Sequence, residues 1–356
     1  MMSTRRGSRR PTQVEIARLA GVSQATVSTV VNGNGAQVSE EKRQRVLDAI
    51  AQLGYSVNPM ARGLRGGGNR ILGLYTFESV FPVSERDFYF PFLLGVEAEA
   101  ALLGYDMLLF TSAGVSGERS VYAGGSNRLL KADGCVLLGR HLARDDLARL
   151  TREDFPFVFI GRREVDGVEL SYVGADYAAA TSSMVRRLAA MGHRRILLLK
   201  QSNGDEPSAD REAGHRDGLA EAGLAYGPEL VHVISENAEV DAELMRSWID
   251  AGVTAILVEP SESAGLAEAI ERAAEQAGIH IPGDCSVVFL GEAPAPTATR
   301  IWTSFALPRT EMGREAVQML VRLLEEPGAD AQQVLLPCKP TDGNSIALSP
   351  TFRVQA

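Results

Sequence analysis

From Arg70 onward, short apolar runs alternate with longer amphipathic segments, and this alternation restricts the chain to very few architectures. Residues 71–77, 106–110, 133–139 and 156–160 each read as a strand, with a helix over 91–103 among them. The pattern then repeats, with helical spacing over 175–191, 211–222 and 261–277 and further strands over 195–200, 254–258 and 285–290. Continuously apolar strands separated by amphipathic helices signal parallel sheets covered on both faces, because a half-exposed strand would alternate instead. About 290 residues exceed one sheet of ordinary size, so two doubly wound lobes are expected. In such folds ligands sit beyond the carboxyl ends of the strands, which makes a cleft between the lobes the expected site.

The first 70 residues follow a different rule. Val14, Ala17, Leu19 and Ala20 lie at helical spacing, so one face of a first helix is expected to be buried while Gln13, Glu15 and Arg18 stay wet. Gly21 stops that helix, since it takes the left-handed conformation without a Cβ clash. Ser23 caps a second helix whose buried stripe is Val27, Val30 and Val31, leaving Gln24, Ala25, Ser28 and Thr29 outward. That short, polar, almost uncharged face suits a helix entering the major groove to meet base edges. Ser39, with Glu40 and Glu41 in the first turn, opens a third helix with Val46, Ala49, Ile50 and Leu53 inward, and Gly54 closes it. A headpiece of about 50 residues lies below the size at which a core is comfortable, so marginal stability is expected.

Charge separates the two parts. Residues 1–70 carry eleven Arg and Lys against four acidic residues, a net of +7, and the remainder nets −16, which together make the chain's −9. A basic head on an acidic body is the footprint of a nucleic-acid module joined to something that does not bind nucleic acid. Arg5, Arg6, Arg9 and Arg10 either add phosphate contacts or form a merely solubilising tail.

Beyond the headpiece, Asn58 and Pro59 are a helix start, and Gly66, Gly67 and Gly68 end the segment in a flexible joint. With Val-Ser-Gln-Ala-Thr-Val-Ser-Thr-Val-Val-Asn at 22–32, Leu-Gly-Tyr at 53–55 and Asn-Pro-Met-Ala-Arg-Gly-Leu at 58–64, the chain resembles the lac/gal (LacI/GalR) repressor family of bacterial transcription regulators over its whole length. The resemblance implies a small all-α helix-turn-helix headpiece (1–57), a hinge helix and linker (58–68), and an α/β periplasmic-binding-protein-like body of two doubly wound parallel-sheet lobes (69–356). It implies DNA contacts from Thr12, Ser23, Gln24, Ala25, Thr26, Ser28, Thr29 and Asn32 in the headpiece and from Asn58, Ala61 and Leu64 in the hinge. Leu64 matches the residue that paired subunits wedge into the minor groove, where unstacking costs a few kcal/mol and bends the duplex. Seven residues containing Gly63 do not hold a helix alone, so hinge folding is expected to be coupled to DNA. Where the family usually has Val-Ser-Arg, this chain has Val27-Ser28-Thr29, which removes a bidentate contact to guanine.

For the body, the resemblance implies three crossings between the lobes, near 174–176, 305–307 and 326–331. Lobe one is then about 69–174 with 306–328, and lobe two about 175–305 with 329–356. Asp-Gly-Cys-Val-Leu-Leu-Gly at 133–139 matches a strand of the first lobe, and Gly-His-Arg-Arg-Ile at 192–196 the start of the second. Arg211 corresponds to the arginine that reaches ligand hydroxyls in relatives, although a fork of five donors equally grips a carboxylate or phosphate. Phe88 and Phe90, after the first strand, either stack on a sugar face or pack beneath their loop, and Arg162 follows another strand end. Relatives show Asn-Asp and Gly-Phe-Asp-Asp after two later strands; here stand Glu259-Pro260-Ser261 and Phe289-Leu290-Gly291-Glu292, so Glu259 and Glu292 are the candidate replacement anchors. Trp302 either stacks on the effector or plugs the lobe interface.

Other readings fare worse. The five histidines have no metal-ligand spacing, no Gly-x-Gly-x-x-Gly follows a strand, and no phosphate loop or nucleophile elbow is present, so neither an enzyme nor a metal or other cofactor is expected. Cys135, Cys285 and Cys338 are an odd, scattered set that fits reduced thiols in the cytoplasm. No apolar run approaches the ~18 residues of a membrane span, and no secretory core opens the chain, which argues against the alternative of an exported sugar receptor. The expected partners are a near-palindromic duplex operator, a second copy of the chain in a homodimer, and a carbohydrate effector of either sign, inducer or corepressor.

Overall fold

The computed structural model describes residues 11–31, 38–53, 68–77, 86–111, 120–122, 125–139, 144–202, 204–235, 240–260, 265–296 and 300–353. The chain divides into two compact units, one built on the first 71 residues with Lys131–Asp133 and the other on the remainder.

In the first unit lie α1 (Gln13–Ala20), α2 (Gln24–Val31) and α3 (Glu40–Leu53). Thr12 opens α1 with reciprocal bonds: the Glu15 N–H donates to Thr12 Oγ1 at 3.4 Å, and the Thr12 N–H donates to Glu15 Oε2 at 2.7 Å. Gly21, at φ +63°, ends the helix and donates its N–H to the Ala17 carbonyl. Ser23 Oγ accepts the Thr26 N–H at 3.1 Å and so starts α2. Ser39 opens α3 through its carbonyl, which accepts the Arg43 N–H at 2.9 Å. The core consists of Ile16, Ala17, Ala20, Val27, Val46 and Ala49, with Val30, Val31, Ile50 and Leu53 packed against it. Two expected core residues are outside it: Val14 is 59% and Leu19 46% exposed, and Ile16 takes their place. At about 100° per residue, positions 16, 17 and 20 share one face, and 14 and 19 fall on either flank of it.

The second unit contains both lobes. In the first lobe, β1 (Ile71–Thr76), β2 (Asp106–Phe110), β3 (Gly134–Leu138), β4 (Phe157–Ile160), β5 (Tyr172–Ala175) and β11 (Gln333–Leu336) form a sheet in the order β11-β5-β4-β3-β1-β2. The β1–β3, β3–β4, β4–β5 and β5–β11 pairings are parallel. Helices α4 (Arg86–Leu102) and α10 (Arg309–Glu325) cover it, with Phe92, Val96, Ala316 and Leu320 against Val136 and Val158. Helix α5 (Arg144–Arg152) lies between β3 and β4 in sequence.

The second lobe has β6 (Ile196–Gln201), β7 (Val231–Ile234), β8 (Ala255–Val258) and β9 (Ser286–Phe289) in the parallel order β7-β6-β8-β9. Alternate strand residues feed two cores, as the period of two requires. Leu198 and Leu257 meet Val185 of α6 (Tyr177–Ala190) and Leu219 of α7 (Glu206–Glu221) on one face. Leu199 and Ile256 meet Trp248 of α8 (Ala242–Asp250) and Ile270 of α9 (Leu266–Ala277) on the other. Helices α6 and α7 cross so closely that a Cβ on Gly214 would lie 2.2 Å from the Ala178 carbonyl oxygen, which only glycine permits.

The chain passes between the lobes at Asp176, at 307–308 between β10 (Ser304–Ala306) and α10, and at 337–338 between β11 and β12 (Lys339–Thr341). β10 and β12 pair antiparallel, and a short α11 (Pro350–Arg353) follows. Two expectations differ from this. The third crossing comes after Leu336 rather than at 326–331, because β11 pairs with β5 and keeps the chain in the first sheet. Helix α4 begins at Arg86 rather than at Pro91, which sits inside the helix and omits a single ladder bond near its start.

Candidate functional site

In the headpiece, α2 presents Gln24 and Ala25 exposed and Thr26, Ser28 and Thr29 partly exposed, the outward face read from the sequence. Its hydroxyls are partly engaged by the helix itself. Thr29 Oγ1 donates to the Ala25 carbonyl at 2.9 Å, and Thr26 Oγ1 lies 2.8 Å from Ser23 Oγ. Thr12 Oγ1 bonds Glu15 Oε2 at 3.0 Å within the capping box. Asn32, Asn58, Ala61 and Leu64 lie outside the described residues.

In the body, Arg211 sits at the carboxyl ends of three strands of the second lobe, where the crevice rule places a ligand. Its Nε donates to the Leu290 carbonyl at 2.8 Å, its Nη1 to Glu259 Oε1 at 3.0 Å, and its guanidinium carbon stands 4.3 Å from the centre of the Tyr177 ring. Glu259 accepts in addition the Gln201 N–H at 3.1 Å and Ser208 Oγ at 2.9 Å, both on Oε2. Arg211 is 8% and Glu259 2% exposed, so the carboxylate acts on the arginine and not as an open anchor for a hydroxyl. Burial also pushes the Tyr177 phenol above its ordinary range, against the nearby Arg211 charge. Arg211 is the sixth residue of α7, not its first turn. The true start carries a legible signal: Asp205 caps the Ser208 N–H at 2.9 Å, and Pro207 stands in the first turn.

Four other candidates resolve differently. Trp302 is buried in the second lobe's core, its ring 5.1 Å from Phe289 and edge to face, so it packs and cannot stack on a ligand. Phe88 and Phe90 are helical, on the first turns of α4; Phe88 packs edge to face on Tyr89 and Phe92 with Arg309 over its ring, and Phe90 is 54% exposed. Glu292 Oε1 accepts the Leu307 N–H at 3.0 Å and stands 3.4 Å from Arg309 Nη2, which ties it to the second crossing.

Arg162 spans the lobes. Its Nε lies 3.0 Å from Asp210 Oδ2 and its Nη2 2.8 Å from Asp210 Oδ1, and it also pairs with Glu164. Burial alone would pull its pKa down, but the bond and charge of Asp210, then Glu164, hold it above its ordinary value. Beside it, Arg163 stands 3.7 Å and Arg144 3.1 Å from the Glu206 carboxylate. No motif or spacing in the sequence marks Arg144, Arg163, Glu206, Asp210 or Tyr177. A groove of about 1060 Å³ opens at the opposite, amino ends of β4 and β5, lined by Phe155, Phe157, Leu170 and Leu323, and holds none of these charges.

The signature of bacterial regulatory proteins of the lacI family matches residues 12–58, and that of the periplasmic binding protein-like domain matches 185–346. The chain is 33% identical over 320 residues to the HTH-type transcriptional regulator CelR of Thermobifida fusca, covering 88% of this chain and 92% of that one. It is 28% identical over 324 residues to catabolite control protein A of Streptococcus mutans, covering 90% and 94%. Among solved structures, a CelR–cellobiose complex aligns with a TM-score of 0.60 at 28% identity over 94% of this chain and all of that one. The lac repressor dimer bound to operator and the anti-inducer ONPF aligns at 0.66 and 21% identity over 95% and 100%, a likeness of fold. A helix-turn-helix headpiece ahead of a two-lobed α/β body defines a DNA-binding transcription regulator, and an exported receptor has no use for such a headpiece. The chain belongs to the lacI family of bacterial regulatory proteins. Among the described residues no helix is long and apolar enough to cross a membrane.

Proposed function

We propose that the chain is a cytoplasmic repressor that binds a near-palindromic operator as a homodimer and that a carbohydrate between the lobes changes its grip on DNA. The buried Arg211 carries this reading: it is fixed by Glu259 and the Leu290 carbonyl over the Tyr177 ring, so the rest of its fork is preorganised for ligand hydroxyls. The cellobiose bound by the CelR relative supports the ligand class. In the headpiece, Gln24 offers an amide to adenine and Ala25 an apolar contact to a thymine methyl, and Leu64 of each subunit wedges the operator centre. By linkage, an effector that loosens DNA binding itself binds the DNA-bound form more weakly, with couplings of about 1–3 kcal/mol.

Melting the full chain against a panel of sugars, sugar derivatives and nucleosides tests the cleft. One carbohydrate is expected to raise the melting temperature, and Arg211→Ala to abolish the rise. Stabilisation by none of the sugars would sink the ligand class.

A further inference from the structure

The facing charges of the two lobes are already paired with one another. Arg162 of the first lobe holds Asp210 of α7 with two nitrogens, at 3.0 and 2.8 Å. Arg163 and Arg144 approach the two oxygens of Glu206, one turn earlier on the same helix, and Arg162 also meets Glu164. Three cations of the first lobe therefore meet three carboxylates, two of which the second lobe supplies. Arg163 and Glu206 are each under a tenth exposed, and Arg162 and Asp210 are each 18% exposed, so water screens these four poorly, whereas Arg144 and Glu164 are exposed. Next along α7, the Arg211–Glu259 pair is likewise neutral and buried.

We infer that the cleft selects an uncharged ligand and that Asp210, with Glu206, determines this. Resting on the carbohydrate reading of the cleft, the inference names the charge class of that carbohydrate. A guanidinium fork matches a phosphate or carboxylate as well as it matches Asp210, so an anionic ligand would be drawn to Arg162 if it stood open. Asp210 is a tethered competitor for the Arg162 fork, held in place by the fold; Arg163 donates both terminal nitrogens to the Arg162 and Gly139 carbonyls at 2.7 Å each, so Glu206, 3.7 Å away, adds only a charge that repels an incoming anion. A sugar hydroxyl faces neither obstacle, because it bonds the remaining N–H groups and carboxylate lone pairs without breaking an ion pair. Selectivity here comes from an occupant that rejects the wrong partner.

Inorganic phosphate is the probe. Full-length wild type, Asp210→Asn, Arg162→Gln and the double variant are melted across a phosphate titration at constant ionic strength. The readout is the saturable stabilisation that depends on Arg162, which removes any phosphate held by the basic headpiece. Wild type is expected to show none, and Asp210→Asn, an isosteric change, to gain phosphate affinity by about tenfold or more, lost again in the double variant. Glu206→Gln, which removes a repelling charge but frees no fork, is expected to gain less. An Arg162-dependent response in wild type would overturn the inference, as would its absence from both carboxylate variants. Either result leaves the sugar panel to judge the carbohydrate reading separately.

Discussion

Arg211 Nη1 donates to Glu259 Oε1 at 3.0 Å, and both side chains are buried at the carboxyl ends of the second lobe's strands. Glu259 also receives the Gln201 N–H and the Ser208 hydroxyl, so one carboxylate fastens the end of β6, the first turns of α7 and the arginine. Removing one partner of a buried pair leaves the other charge uncompensated, which costs about 3–5 kcal/mol. Glu259→Ala is therefore expected to lower stability by that amount in urea unfolding and to abolish effector binding. A loss below about 1 kcal/mol would mean the pair is not buried in solution.

Gly21 carries the turn between the first two helices at φ +63°, and a Cβ there meets nothing nearer than Arg45 Nη1 at 3.7 Å. The cost of Gly21→Ala is thus conformational, about 1–2 kcal/mol. In a small core that loss is expected to show as faster amide exchange in α1 and α2 and weaker operator binding, with effector binding unchanged.

Gly214 allows α6 and α7 to cross, and a methyl there would press on the Ala178 carbonyl. Overpacking of this kind costs about 1–3 kcal/mol. Because Arg211 rides on α7 one turn away, Gly214→Ala is expected to weaken effector affinity as well as stability, measured by calorimetry and urea unfolding. Unchanged effector affinity would uncouple the helix crossing from the site.

His215 is buried, with Nε2 2.9 Å from the Ile196 carbonyl, and burial outweighs that bond to lower its pKa below the ordinary value. A depressed histidine folds neutral, so its contribution is present above the unfolded pKa and is lost as pH falls below about 6.5. Burial shifts His232 the same way. Stability is expected to fall between pH 7 and 5, by up to about 1.4 kcal/mol per pH unit for each proton taken up, and His215→Gln is expected to flatten part of that slope. An identical slope in the variant would assign it elsewhere.

Much of this architecture can be read from local chemistry. The strand at Asp106–Phe110, the turn at Gly21 and the cap at Ser23 each follow from a few adjacent residues and stand where the sequence puts them. What escapes is decided by partners distant in the chain. Val14 and Leu19 have the right spacing for burial, but α3 settles which face of α1 is covered. A crossing at 326–331 puts β11 in the second lobe, but its pairing with β5 keeps it in the first sheet. Trp302 has the chemistry of a stacking platform and is packed against Phe289 instead. The ion pairs across the cleft join Arg162 to Asp210, which no spacing rule connects, whereas Arg211 is found because a motif marks it.

Regulation as proposed turns on one coupling, between an occupied cleft and a gripped operator. Fluorescence anisotropy on a palindrome selected from random duplexes, with and without the stabilising sugar, measures it directly. Wild type is expected to bind as a dimer with an affinity that the sugar shifts by about 5–150-fold, and Arg211→Ala to keep the affinity and lose the shift. A monomeric chain that prefers no palindrome over bulk DNA, or an operator affinity indifferent to the bound sugar, would contradict it.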